Sequence, residues 1–323
     1  MVRLIKHLAC CLGLSLTALA GSPARGQEAV VILSGDNHYY HQAARTMISR
    51  VKATAPEFGA DVRYLSSLET VPIQSDQLVI TIGTGATERV LKQFPHQQQL
   101  GLFVTESAWR NALERYGGTT SRKAVIYVNQ PLRHYVTLAR MLKPDGKIIG
   151  SAFGSASRQY EASLRGIAAQ EGFSLASTTL GETDNPVTSL TPVMAQADVF
   201  IAIPDQATFN RNIARWALYL AYQQKIPLIG FSQSYTRAGA LASIYSSPDD
   251  IGDQAGDWLI RFYSAEGPGT QLWSASHPRN FTLNINASVA MALGYRNLSE
   301  ADLYRTLRQR VDSGAMSDDA GVH

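Results

Sequence analysis

Short apolar runs alternate with segments of helical spacing along most of the chain. Val30–Leu33, Leu78–Ile82 and Leu100–Val104 are largely apolar runs bounded by glycine or polar residues, as is typical of parallel strands buried on both faces. Between them, His38–Thr54 and Ala86–Phe94 have apolar residues at helical spacing. Strands that alternate with helices predict βαβ units and an α/β fold.

The pattern restarts near residue 147. Residues 30–47 (VVILSGDNHYYHQAARTM) and 147–164 (KIIGSAFGSASRQYEASL) share an order of strand, polar loop and helix, and so do residues 78–94 and 198–216. We interpret the halves as two lobes of one topology rather than a short tandem repeat. The elements predicted in the second half are the strands Lys147–Ala152, Phe173–Thr178, Asp198–Ile203, Pro227–Phe231, Ala240–Ile244 and Phe281–Ile285, and the helices Ser157–Gln170, Ala207–Gln223, Asp249–Tyr263 and Ala287–Leu293.

Two joints suggest where the chain passes between lobes: the segment from Asn129–Pro131 to Pro144–Gly146, and residues 232–240. A chain that crosses more than once forms a hinge rather than a linker. We expect residues 27–132 and about 236–275 in lobe 1, and about 133–235 and 276–300 in lobe 2. Residues 301–323 are expected to be a short, polar, loose tail.

The first 26 residues have the pattern of a secretory signal peptide. Arg3 and Lys6 precede an apolar run at residues 8–20, and small residues follow. The run is shorter than the ~20 residues that span a bilayer, which favours a cleavable signal over an anchor. Cleavage after Ala20 and after Gly26 both fit. We therefore expect export to the periplasm.

Removing this segment changes the charge and the cysteine content. Arg3, Lys6 and Arg25 account for the whole formal charge of +3, so the remainder is neutral and a nucleic-acid partner is disfavoured. Both cysteines, Cys10 and Cys11, also lie there, so disulfides, thiolate metal sites and cysteine nucleophiles are not expected. No cofactor and no metal are predicted.

The candidate site is the set of loops that follow the predicted strands, because ligands of parallel α/β sheets bind outside the carboxyl ends of the strands. These loops are rich in hydroxyl, glycine and amide residues, which with helix N-terminal amides can bind a carboxylate. Asp205 or Glu106 could pair with an ammonium group. For each loop, capping of the next helix is the alternative. The candidate ligand-binding residues are Ser34, Gly35, Thr84, Gly85, Thr105, Glu106, Ser107, Phe153, Ser155, Ser157, Tyr160, Asp205, Gln206, Phe209, Gln233 and Tyr235.

Four segments carry a resemblance to a known family. They are residues 128–154 (VNQPLRHYVTLARMLKPDGKIIGSAFG), 197–209 (ADVFIAIPDQATF), 225–262 (KIPLIGFSQSYTRAGALASIYSSPDDIGDQAGDWLIRF) and 281–295 (FTLNINASVAMALGY). In this order they resemble the ABC-transporter substrate-binding proteins of the tryptophan/tyrosine type. The resemblance covers about residues 120–295 well and residues 28–119 by pattern.

The resemblance implies a periplasmic-binding-protein type I fold, with two Rossmann-like lobes, parallel sheets flanked by helices, and a hinge. It implies that a small polar or amino-acid-like solute is captured by hinge closure, without chemistry, for a membrane permease and its ATPase. The mature chain is expected to be a monomer. The family's hinge-side loops correspond by position to Ser34, Thr84, Thr105, Ser155, Asp205 and Gln233. The loop after Thr105 lacks an expected proline, so the solute is left open.

Three alternatives accompany this interpretation. The same fold serves as the ligand-binding partner of membrane signalling receptors, and the sequence does not separate the two. Gly230–Ser234 is close to the G-x-S-x-G element of serine hydrolases, with Ser232 as the nucleophile, but the last glycine is missing and no helix is predicted directly after it. His38 and His41 could share a metal ion, but no third ligand is evident nearby.

Overall fold

The computed structural model describes residues 28–70, 73–116, 120–181, 183–205, 211–264 and 270–319. The signal segment, Gln206 and Phe209 therefore lie outside the described residues. The strands are β1 (Glu28–Leu33), β2 (Gly59–Tyr64), β3 (Leu78–Ile82), β4 (Gln98–Val104), β5 (Lys123–Tyr127), β6 (Ile148–Phe153), β7 (Ser174–Thr179), β8 (Val199–Ala202), β9 (Leu228–Gly230), β10 (Ala242–Tyr245), β11 (Ala275–Ser276) and β12 (Thr282–Ile285).

Helices occupy most of the connections between these strands. They are α1 (His38–Lys52), α2 (Thr84–Gln93), α3 (Glu106–Tyr116), α4 (Leu132–Leu142), α5 (Tyr160–Gln170), α6 (Pro186–Met194), α7 (Arg211–Gln223), α8 (Gln233–Ala238), α9 (Pro248–Phe262), α10 (Ala287–Ala292) and α11 (Glu300–Asp319). In the part of the chain that the structure describes, no helix is long and apolar enough to cross a membrane.

The strands form two sheets, one in each lobe. The first has the order β11-β5-β4-β3-β1-β2 and is parallel throughout. The second has the order β12-β10-β9-β8-β6-β7 and is parallel except for β12, which runs antiparallel to β10. Central strands such as β3 and β8 are buried along their whole length, which explains their apolar sequences. The predicted two-lobed α/β architecture is confirmed.

Within the described residues, the chain crosses between the lobes three times. The crossings are residues 128–131 between β5 and α4, residues 246–247 between β10 and α9, and residues 277–281 between β11 and β12. The expectation that residues 236–275 belong to lobe 1 is wrong for its first part, because β10 pairs with β9 and β12 in the second sheet. Among the described residues of this range, 248–264 and 270–275, which include α9 and the start of β11, return to lobe 1.

Helix α9 returns to lobe 1 by packing closely against α1. Its start is fixed by a capping box, in which Ser247 and Asp250 each accept a hydrogen bond from the other's backbone N–H. Gly252 and Gly256 lie against the backbone and side chains of α1. The absence of a Cβ at these positions lets the two helices approach.

The C-terminal segment is not a loose tail. Leu307 of α11 is fully buried in the core of lobe 2, with Leu303 and Val311 packed against that core. These residues are four apart and form one apolar stripe. The expectation that residues 301–323 form a loose tail is therefore wrong for the part that belongs to α11. Charged residues on the other faces of α11 make the apolar stripe difficult to recognise in the sequence.

Candidate functional site

Two adjoining cavities lie between the lobes, on the side where the parallel strands end. The first has a volume of about 300 Å³ and the second of about 270 Å³. The first cavity is lined by Thr105, Glu106, Arg110, Asn129, Gln130, Pro131, Leu132, Arg133, Tyr135, Gln159, Tyr160, Ser163, Ile167, Ile203, Pro204 and His277. The second cavity is lined by Thr105, Val128, Asn129, Pro204, Asp205, Phe231 and Ser232.

The lobe 1 side of the first cavity is built on the first turn of α3. The Asn129 side chain accepts a hydrogen bond from the Glu106 backbone N–H at 3.0 Å, so the end of β5 holds the start of α3. The Glu106 carboxylate accepts from the Arg110 guanidinium at 2.7 Å, one helical turn away. A carboxylate and a guanidinium therefore lie side by side in the cavity lining.

A residue of lobe 2 contacts the Glu106–Arg110 ion pair directly. Arg110 also donates to the Gln159 side-chain oxygen at 2.9 Å, and this bond joins the two lobes. Burial, and then the nearby Glu106 carboxylate, raise the pKa of Tyr160 to about 12. The tyrosine therefore stays neutral at physiological pH and can act as a hydrogen-bonding group.

His277 brings the third crossing segment to the cavity. Its Nδ1 donates to the Asn129 backbone carbonyl at 3.0 Å, and its Nε2 lies 3.9 Å from the Glu106 carboxylate. Its ring packs edge-on against Tyr127, with 5.0 Å between ring centroids. The cavity thus contains residues of both lobes and of the hinge.

Asp205 lies at the second cavity and organises a neighbouring loop. It is only 4% exposed, and its carboxylate accepts from the Ser157 backbone N–H at 2.9 Å. The Ser157 hydroxyl in turn accepts from the Gly154 N–H at 2.9 Å. The apolar Phe231 and Val128 line the same cavity. A ligand there would meet one negative charge and an apolar wall.

The three crossing segments are hydrogen-bonded to one another. Gln130 of the first segment donates to the Ser246 hydroxyl of the second and to the Asn280 carbonyl of the third, the latter at 3.1 Å. Ser246 also donates to Asn280 O at 2.8 Å. His134 Nδ1 donates to Gln130 Oε1 at 2.9 Å. We call Gln130, Ser246, Asn280 and His134 the hinge cluster.

The structure brings four of the candidate residues to the cavities: Thr105, Glu106, Tyr160 and Asp205. Other candidates lie just behind them. Ser107 and Thr105 share a hydroxyl–hydroxyl hydrogen bond of 3.1 Å, Ser157 is bonded to Asp205, and Gln233 begins α8 directly after Ser232.

The other described candidates lie elsewhere. Phe153 is fully buried in the core of lobe 2, and Ser155 is exposed. Tyr235 is buried with its ring 4.8 Å from Phe231 and does not line either cavity. The capping alternative holds for Ser34, whose hydroxyl accepts from the Ala86 N–H at 2.8 Å at the start of α2. Gly35, Thr84 and Gly85 line neither cavity.

Sequence reasoning missed several polar lining residues. Arg110, Gln159, Ser163 and Arg133 lie on or beside the first turns of helices, not in the strand-end loops. The spacing of Glu106 and Arg110 by four residues is a signal for an ion pair on one helix face. That signal does not indicate that the pair faces a cavity.

The structure shows where the residues of the metal-site hypothesis and of the serine-hydrolase hypothesis lie. His41 Nε2 is hydrogen-bonded to Asp36 at 2.9 Å and lies 3.2 Å from the Tyr64 hydroxyl, and the described residues contain no group of three or more potential metal ligands. A helix does follow Ser232, contrary to expectation, since α8 begins at Gln233. His277 lines the first cavity and Ser232 the second.

Several solved structures share this architecture. A conserved domain protein from Vibrio cholerae matches with a TM-score of 0.61 at 18% identity, over 87% of this chain and 98% of its own. An ABC domain from Streptococcus pneumoniae in complex with L-Trp matches with a TM-score of 0.60 at 15% identity, over 85% and 98%. A substrate-binding protein with adhesive properties from Clostridium difficile, in its ligand-free open form, matches with a TM-score of 0.65 at 13% identity, over 84% and 96%.

The chain has the two-lobed fold of periplasmic binding proteins. At these identities the likeness establishes the fold alone. No family model and no curated protein matches the chain.

Proposed function

We propose that this protein is an exported solute receptor of an ABC-type uptake system. It captures a small polar or amino-acid-like solute between its lobes and releases it unchanged to a membrane permease and its ATPase. The observation that carries the proposal is the first cavity, which lies between two similar lobes and is lined by residues of both lobes and of the hinge. A similar fold in an L-Trp complex of Streptococcus pneumoniae supports a solute of this size.

The chemistry of the cavities supports a solute with a polar head and an apolar part. Glu106, Arg110 and Asn129 offer a carboxylate, a guanidinium and an amide in the first cavity. Phe231 and Val128 line the second cavity beside Asp205. An ammonium group would be placed near Asp205 or Glu106, and a carboxylate near Arg110. The combined volume suits a small solute and not a polymer.

Capture follows from the two-lobed geometry. A solute that contacts Glu106 in lobe 1 and Asp205 in lobe 2 makes its full set of contacts only when the lobes are together. It therefore shifts the population toward the closed form. The closed form is the state that a membrane partner recognises. We further propose that the mature protein starts after residue 20 or 26, acts in the periplasm and is monomeric.

The test is a thermal-shift screen against amino acids, small organic acids, sugars and polyols, followed by calorimetry of each stabilising compound. Asp205→Asn keeps an oxygen that accepts from Ser157 but removes the charge. For a solute with an ammonium group it should weaken binding at least tenfold. Asp145→Asn, on an exposed loop, is the matched control and should bind normally. Mass spectrometry of the recovered solute should show it unaltered; a converted compound would overturn the proposal.

A further inference from the structure

Helix α7 presents aromatic side chains to solvent on its outer face. Trp216, Tyr219 and Tyr222 are 37%, 52% and 64% exposed, and the Trp216 and Tyr219 rings pack edge-on at 5.7 Å between centroids. The opposite face of α7, with Ala217 and Leu220, belongs to the core of lobe 2. One side of the helix is thus packed in the core, while Tyr219 and Tyr222 leave more than half of their surface in solvent.

A groove runs beside these aromatics. It has a volume of about 350 Å³ and is mainly apolar, and the exposed Met291 of α10 lies on a neighbouring element at 69% exposure. The groove is lined by Arg215, Leu218, Tyr219, Tyr222, Ala238, Gly239 and Val289. We call this groove together with Trp216 the aromatic face.

The aromatic face lies away from the solute cavities. Of its α7 residues, Arg215 and Trp216 are near the middle of the helix, and Leu218, Tyr219 and Tyr222 are in the second half, which leads away from the carboxyl end of β8. Val289 follows β12, whose last residue Ile285 pairs with Ala242 at the start of β10. The face is therefore near the amino ends of the strands, whereas the solute cavities are at their carboxyl ends.

Helices α7, α8 and α10, which line the groove, together carry basic residues but no acidic ones. The nearest acidic group that the contacts place beside them is Glu300, which accepts from the Ile285 N–H before α10. Arg215 lines the groove, and Lys225 is exposed just after α7. A surface with exposed aromatics, cations and no acid on its own helices is complementary to an extended surface of negative charge.

We propose that the aromatic face docks this protein on an anionic phospholipid surface. Tryptophan and tyrosine rings favour the headgroup level of a bilayer, where their apolar bodies are buried and their polar ends stay hydrated. Arginine and lysine beside them are attracted to anionic headgroups. Exposed rings on helices that carry basic and no acidic residues fit an anionic lipid surface, which offers apolar depth and negative charge together.

Vesicle co-sedimentation of the full chain tests the proposal. We expect more protein to sediment with vesicles of 70% phosphatidylcholine and 30% phosphatidylglycerol than with vesicles of pure phosphatidylcholine. Sedimentation with the pure phosphatidylcholine vesicles measures the binding that comes from the apolar N-terminal segment. The double substitution Trp216→Ser and Tyr222→Ser should remove most of this difference, at least fivefold, and Arg215→Ser should weaken it about threefold. High salt should act in the same direction.

The control is Tyr39→Ser, which removes a tyrosine of similar exposure (51%) from lobe 1 and should leave vesicle binding unchanged. Solute binding in the cleft should be normal in the aromatic-face variants, so this test is independent of the proposed function. Equal sedimentation of wild type and the double variant on anionic vesicles would overturn the proposal. So would wild-type binding that does not depend on phosphatidylglycerol, and the aromatic face would then be assigned to a protein partner.

Discussion

Arg110 of lobe 1 and Gln159 of lobe 2 are joined by a hydrogen bond of 2.9 Å across the first cavity. Arg110 is itself held by Glu106 on the same helix, so the bond ties a charged element of one lobe to the first turn of the other. It exists only while the lobes are in contact. The bond therefore contributes to the balance between open and closed forms.

Replacing Gln159 by alanine should shift that balance toward the open form. An exposed hydrogen bond to a charged group contributes about 0.5–1 kcal/mol, so we expect solute affinity to fall roughly two- to fivefold. Calorimetry with a solute found by the thermal-shift screen measures this change. Arg305→Ala on α11, which removes an exposed ion pair with Asp302, is the control. Unchanged affinity in the Gln159 variant would mean that the interlobe bond does not affect closure.

The hinge cluster should stabilise the protein as a whole. Gln130→Ala removes the donor to the Ser246 hydroxyl and the acceptor of the buried His134 Nδ1–H, and we expect the free energy of unfolding to fall by about 2 kcal/mol. Urea denaturation measures the change. Gln196→Ala removes a similar side chain whose bond to Pro192 O is exposed and should change stability by less than about 0.5 kcal/mol. Equal effects in the two variants would contradict the role of the cluster.

His134 should make stability depend on pH. Burial, and then the neighbouring His277, lower the pKa of His134 to about 4, whereas it is about 6.5 in the unfolded chain. Because the folded state holds the neutral ring, stability is full above pH 6.5 and falls as the pH drops from 6.5 toward 4, by roughly 3 kcal/mol in total.

The measurement is the free energy of unfolding of wild type and His134→Gln between pH 7 and 4. The variant should lose this part of the pH dependence. His96→Gln, at an exposed histidine, should keep it. A wild-type pH profile retained in the His134 variant would assign the dependence to another group.

The contact between α1 and α9 should tolerate no added methyl group at Gly252. A Cβ there would lie 2.6 Å from the Ala43 backbone oxygen, which cannot rotate away, so Gly252→Ala should destabilise the protein by about 1–3 kcal/mol. Gly166→Ala is the matched control, since nothing lies within 4 Å of its Cβ position. It should stabilise α5 by about 0.5–1 kcal/mol. Thermal denaturation of the two variants should give shifts of opposite sign.

The sequence was most informative where burial determines composition. The apolar run of β3 predicted its limits at Leu78 and Ile82, and the strand-end rule led to Thr105, Glu106 and Asp205. The prediction that β10 belongs to lobe 1 was wrong, because a buried strand has the same sequence pattern in either lobe. Only its pairing with β9 and β12 determines the sheet to which it belongs. The bond between Arg110 and Gln159 could not be predicted either, since it depends on how the two lobes face each other.

The most direct test of solute capture between closing lobes is small-angle X-ray scattering with and without a saturating solute identified by calorimetry. We expect the radius of gyration and the maximum dimension to decrease on binding, with the solute recovered intact. Gln130→Ala, in the hinge cluster, should bind the same solute with an altered scattering change. A solute that binds with no change in scattering, or that is chemically converted, would contradict the account.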